Sequence, residues 1–147
     1  MTRIRFLRKQ RGAALVEFAL VAAGGFILLL IGVFELGRVL FTFNTANEAT
    51  RLGARLAVVC DANAAVITDR MTALLPELNA NTVSISYDPP GCGSDAATAR
   101  STCDSATVAI KPGTTIQTVI PFMNFAVDIP PFTTTLTREA MDSSTCT

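Results

Sequence analysis

From Ala13 to Phe34 the chain runs for 22 residues in which only Glu17, Gly24, Gly25 and Gly32 are not apolar. As a helix, at ~1.5 Å per residue, this stretch is roughly 33 Å long, close to the hydrocarbon thickness of a bilayer. It predicts a membrane span over residues 13–34, and whatever folds beyond it must do so on one side of that membrane.

The flanks set the side. Five of the twelve basic residues, Arg3, Arg5, Arg8, Lys9 and Arg11, fall within the first twelve positions, where there is no acid. Lys and Arg next to a first span are retained in the cytoplasm, so residues 1–12 are expected inside and everything past about 38 outside. The formal charge of zero conceals this asymmetry. Beyond residue 12, seven basic residues face twelve acids, a balance of −5. An acidic exported part argues against nucleic-acid binding. All four cysteines, Cys60, Cys92, Cys103 and Cys146, lie beyond the span, in a compartment where disulfides persist. Three pairings are open to them. Cys92 with Cys103 would close a short loop and leave Cys60 with Cys146 to tie the tail to the end of the helical region. The alternative is four buried free thiols.

A secretory signal peptide also begins with a basic region and an apolar core, and Val21-Ala22-Ala23 offers small residues for cleavage. The apolar run nevertheless resumes after Gly25 as FILLLIGVF, which a cleaved secretory chain would carry needlessly at its new end. The helical period also continues past Phe34. Leu36, Val39, Leu40, Phe43, Ala46, Ala49, Gly53, Leu56 and Ala57 recur at steps of three and four, the signature of one helix face. Opposite them stand Asn44, Asn47, Glu48, Arg51 and Arg55, and Glu35–Arg38 and Glu48–Arg51 have ion-pair spacing. A single helix from near Ala13 to near Cys60 is expected, with residues 35–60 extending the span. Its small residues, Ala46, Ala49, Gly53 and Ala57, allow close approach by the chain's own head or by another subunit.

Residues 61–147 read as a small α+β head. In a second helix capped by Asp61 or Asn63, Ile67, Met71, Leu74, Leu75 and Leu78 would make an apolar stripe. The period then changes to two in residues 82–87, 107–110 and 132–140, which predicts strands. Residues 88–105 are rich in Gly, Pro, Ser and Asp and read as loop. Between Ile116 and Phe132, three prolines keep an unusually apolar segment out of a central strand. That segment is either core or an exposed patch around Phe122, Met123 and Phe125 that touches lipid or a partner.

Catalysis finds little to work with. His and Trp are both absent, so no nucleophile can be paired with an imidazole and no histidine zinc site exists. Asp88, Asp95 and Asp104 lie in the polar loop and read as a solvated or weakly calcium-binding segment rather than an acid pair. No cofactor, resident metal or small-molecule substrate is expected.

Glu17 is the residue that most needs an explanation. A carboxylate in an apolar span costs on the order of 2.5 to 3.5 kcal/mol at the bilayer centre, and less towards the edge. Snorkelling, protonation or a cationic partner would relieve it. Cleavage between Gly12 and Ala13 would create an α-ammonium four residues before Glu17, on the same subunit or on a neighbour.

The run RGAALVEFAL, with its basic leader, Gly12 before the cut, Glu17 at the fifth mature position and Phe18 after it, resembles the prepilin peptidase site of type IV pilin-like proteins. Its continuation, FELGRVLFTFNTANEATRLGARLAVV, is similar to the TadE-like pseudopilins of tight-adherence (Tad/Flp) pili, and TVAIKP with PFTTTLTREA is similar to that family's last strands. Many relatives carry a proline shortly after the glutamate, where this chain has Val21-Ala22-Ala23-Gly24-Gly25. The resemblance implies a pilin-like, non-catalytic subunit of the bacterial inner membrane, processed after Gly12. Its partners would be prepilin peptidase, other pilin-like subunits, the pilus assembly platform and membrane lipid. A rival expectation is an uncleaved single-pass periplasmic adaptor or binding module.

Overall fold

A computed structural model describes residues 5–120 and 125–146. The first helix, α1, spans Arg5–Val59, and its 55 residues extend for about 80 Å. It runs unbroken through Gly24–Gly25. After it come α2 (Ala65–Leu74), β1 (Val83–Asp88), α3 (Ala96–Thr102), β2 (Ser105–Ile110), β3 (Thr115–Gln117), β4 (Ala126–Asp128) and β5 (Thr133–Thr137). A long N-terminal apolar helix followed by a small antiparallel head is the α+β arrangement expected from the change of period.

Strands β1, β2 and β5 form an antiparallel sheet in the order β1-β2-β5. Alternation decides which face is covered. Ala106, Val108 and Ile110 on the central strand are buried, and opposite them lie Tyr87, Ile85 and Val83 on one side and Leu136 and Thr134 on the other. The outer face carries Ser84, Ser86, Thr107 and Thr135, with Thr107 and Thr135 hydroxyls 2.8 Å apart. One face is therefore wet, as antiparallel sheets permit. The last four turns of α1, with α2 beside them, cover the inner face.

That packing divides α1 in two. Thr42, Ala46, Ala49, Thr50, Gly53, Ala54, Ala57 and Val58 are buried, and their spacing keeps them on one stripe of a 3.6-residue helix. Gly53 is required there. A Cβ at this position would lie 2.5 Å from Met71 Sδ and 3.1 Å from a Val108 methyl. The small-residue stripe thus receives the chain's own head. The buried Thr50 hydroxyl is satisfied, donating to the Asn47 carbonyl at 2.8 Å and lying 3.2 Å from the Thr134 hydroxyl.

Three local expectations are corrected. Ala64 rather than Asp61 or Asn63 precedes α2 and makes no side-chain cap. Residues 88–105 are not all loop: α3 forms because the Asp95 carboxylate accepts the Thr98 backbone N–H at 2.9 Å, an N-cap. The last strand ends at Thr137 rather than 140, where Arg138 N–H turns to the Asp104 carbonyl. In the proline-containing segment, β3 and β4 pair as a separate two-stranded sheet, Ile116 opposite Val127.

Candidate assembly helix and its junction with the head

Below Glu35, α1 has almost nothing packed on it. Leu15, Val16, Phe18, Leu20, Phe26, Leu28, Val33 and Phe34 are all exposed, and this is the one described helix long and apolar enough to cross a membrane. Gly12, Ala13, Glu17 and Phe18 are exposed members of this part. Ala13 and Glu17 are one turn apart, about 6 Å along the axis. Among the described residues Glu17 has neither an ion-pair nor a hydrogen-bond partner. A Cβ on Gly12, Gly24, Gly25, Gly32 or Gly37 would meet nothing within 4 Å. Glycine in a helix interior costs about 1 kcal/mol relative to alanine, so Gly12 carries that cost with no packing reason inside this fold.

One turn past Phe34 the helix meets the head's β3–β4 hairpin. Arg38 donates to the Glu35 carboxylate at 2.6 Å and to the Gln117 carbonyl. Glu35 in turn accepts the Val119 backbone N–H at 3.4 Å. The Glu35 side chain is only 13% exposed and that of Arg38 34%, and together the pair clamps the hairpin to the helix. The 35–38 spacing was legible; its hairpin partners were not, because main-chain acceptors leave no mark in sequence.

At the far end of α1 the tail is held three ways. Cys60 is bonded to Cys146, with Cα atoms 4.9 Å apart. Met141 and Asp142 N–H donate to the Val58 and Val59 carbonyls at 3.1 and 2.7 Å, supplying partners that a helix end lacks. Arg100 on α3 donates to the Met141 carbonyl at 2.9 Å and to the Asp61 carboxylate at 2.6 Å, and lies 3.8 Å from Asp142. Hydrogen bonding from Arg100 holds the Asp61 carboxyl below its ordinary pKa and raises that of the guanidinium. The Ser144 backbone N–H does the same for Asp142 as Arg100 does for Asp61, and the Thr98 N–H lowers Asp95. The second disulfide joins Cys92 to Cys103, Cα atoms 5.2 Å apart, and brackets α3. Tyr87 packs over Gly93 and its hydroxyl accepts the Asn63 N–H at 3.0 Å; burial raises its phenol pKa.

Asp95, Asp88 and Asp104 do not gather into a metal site, and no cluster of three acids or cysteines suited to a cation exists among the described residues. Of the expected contact patch, Phe125 is exposed, whereas Phe122 and Met123 lie outside the described residues. Arg100 and the hairpin clamp are the site features that sequence reasoning missed. Asp95 followed by Thr98 was a readable cap signal for α3, and hence for Arg100 on it.

Residues 12–55 match the family model for TadE-like proteins. That interval, 44 of the 147 residues, is similar to TadE-like proteins. No curated protein and no solved structure matches it. The TadE-like interval begins at Gly12 and ends four residues before the end of α1, so it contains the exposed apolar half, the Glu35–Arg38 clamp and most of the stripe that receives the head. What the family match describes is therefore one helix with two duties, bare up to Phe34, clamped to the hairpin at Glu35 and Arg38, and covered from Thr42 on.

Proposed function

We propose that this chain is a pilin-like subunit of a tight-adherence pilus system, anchored in the bacterial inner membrane by residues 13–34 and processed after Gly12. The observation that carries the reading is the TadE-like match falling on a helix whose lower half is apolar and uncovered while its upper half is built into a disulfide-bonded head. A helix of this kind first uses lipid, then neighbouring helices, as its solvent. Residues 1–12 stay in the cytoplasm and the head faces the periplasm, where the cysteines oxidise.

Cleavage after Gly12 does three things at once. It removes five positive charges, frees the chain from the cytoplasmic face and creates the ammonium of Ala13 one turn from Glu17. That ammonium, on the same chain or on the next subunit, supplies the counter-charge for a carboxylate otherwise exposed to an apolar medium. Gly12 then has its reason outside this fold: the peptidase cleft must admit the backbone closely. Phe18 follows Glu17 as part of the same recognition sequence. The partners are prepilin peptidase, further pilin-like subunits, the assembly platform and lipid, and the chain contributes assembly rather than turnover.

Two variants test this in cells that make the pilus. Gly12→Phe is expected to leave the leader attached and abolish assembly, whereas Glu17→Ala is expected to be cleaved normally yet fail to incorporate. Normal assembly by the Glu17→Ala chain contradicts the charge pairing, and normal assembly with the leader attached contradicts processing.

A further inference from the structure

The β3–β4 hairpin reaches from the core of the head to the Glu35–Arg38 level of α1. Its base is in the core, where Ile116 and Ile129 are buried in the same apolar cluster as Ala46 and Ala49. Its other end is at Glu35, because Gln117 and Val119 are the residues clamped by Arg38 and Glu35. Thr118 fixes the two strands there, both its N–H and its hydroxyl donating to the Phe125 carbonyl at 2.9 and 2.8 Å. The flanking side chains face outward. Val119 is 73% exposed and Phe125 57%. Within the described head, Leu74, at 46%, is the other large apolar residue left exposed.

The height of this end relative to α1 is what gives it meaning. Glu35 is the first residue after the apolar run, and the helix still exposes Leu36, Leu40 and Phe41 beyond it, Phe41 at 71%. Phe41 is six residues, or about 9 Å, further along the axis than Glu35. Val119 and Phe125 therefore sit below the upper limit of the helix's own uncovered apolar band, at the level where a span ending at Phe34 meets the headgroups. The charged pair at that level is bonded to itself and to hairpin carbonyl and amide groups, and the third of Arg38 that stays exposed can reach lipid headgroups as a snorkelling side chain. The occupant follows from that height: the described side chains Val119 and Phe125 continue the uncovered apolar band of α1, which lipid covers in the membrane reading, and apolar and aromatic side chains are accepted at headgroup depth.

We infer that the clamped end of the β3–β4 hairpin, through Val119 and Phe125, rests in the outer-leaflet interface of the membrane that α1 spans and fixes the tilt of the head on it. This rests on the membrane reading of residues 13–34. When the subunit leaves the bilayer, the same two side chains lose their apolar surroundings, so the contact opposes extraction.

The absence of tryptophan makes the test direct. Three full-length chains, Phe125→Trp, Leu74→Trp and Phe26→Trp, are reconstituted separately into phosphatidylcholine–phosphatidylglycerol vesicles with and without brominated acyl chains. The expected result is strong quenching of Phe26→Trp, clear quenching and a blue shift for Phe125→Trp, and neither for Leu74→Trp. If Phe125→Trp behaves as Leu74→Trp while Phe26→Trp is quenched, the hairpin contact is wrong and the span stands. If Phe26→Trp is unquenched, the span is wrong and the contact falls with it. A Phe125→Trp blue shift that ignores brominated lipid and vanishes as protein is diluted in lipid would assign the patch to a second copy and overturn the lipid contact.

Discussion

Removing the Cys60–Cys146 bond is expected to destabilise the head more than removing Cys92–Cys103, although Cys146 is the one cysteine that is only half-buried. The reason is the loop each closes. The first spans 86 residues of sequence and the second 11. A crosslink limits the unfolded chain in proportion to the logarithm of that length, giving about 4–5 kcal/mol for the long loop and about 3 for the short one, a difference of about 2 kcal/mol. The long bond encloses α2, the whole sheet and the hairpin, so its loss affects every element that must find its place on α1. The tail's contacts with Val58 and Val59 survive the substitution but must then be made by a free end. The measurement compares Cys60→Ala/Cys146→Ala with Cys92→Ala/Cys103→Ala in the full chain in detergent micelles, with thermal unfolding read by pulse proteolysis. A difference of about 2 kcal/mol corresponds to roughly 5–15 °C in midpoint for a unit of this size. Equal midpoints, or a larger loss from the short loop, would refute the loop argument and place the stabilisation in local contacts around α3.

Other outcomes follow from single positions. Gly53→Leu drives a side chain into Met71 and Val108 and should cost about 1–3 kcal/mol of head stability or more, whereas Gly37→Ala, with open space around it, should leave the same melt unchanged or slightly higher. The pH profile should be flat between about 5 and 8, because there is no histidine. Asp61, Asp95 and Asp142 have folded pKa values below their unfolded ones, so their contribution is complete above about pH 4 and is lost as pH falls through the folded values. Tyr87 acts in the opposite direction: its raised phenol pKa means that stability declines as pH rises past about 10, where the unfolded phenol ionises first. Melts across the pH range check both signs; a transition near neutrality would show a titrating group that these contacts do not contain.

How much of this was readable in the sequence depends on the kind of signal. The long helix was legible because apolar composition and then a 3.6-residue period persist without a break from Ala13 to Val59. Strands β1 and β2 were legible because Val83, Ile85, Val108 and Ile110 alternate with small polar residues. The burial of Ala46, Ala49, Gly53 and Ala57 was legible as a contact stripe but not as a choice of partner, since a head and a second subunit ask for the same small side chains. What sequence could not supply are contacts whose other half is backbone. Arg38 reaches the Gln117 carbonyl and Arg100 reaches the Met141 carbonyl, and any residue offers that oxygen. Helix α3 was obscured by its composition: the Gly, Pro and Ser residues around it signal loop, and only the Asp95–Thr98 cap argues otherwise. Glu17 and Gly12 stood out for the complementary reason, each costing free energy where it stands with no contact in the fold to offset it.

The most direct test of the central claim is the intact mass of the full-length protein recovered from membranes with and without an active prepilin peptidase. The account predicts a chain beginning at Ala13 when the peptidase is present and at Met1 when it is absent. A mature protein that keeps Met1–Gly12 in both cases would contradict it and leave a permanently tethered periplasmic domain.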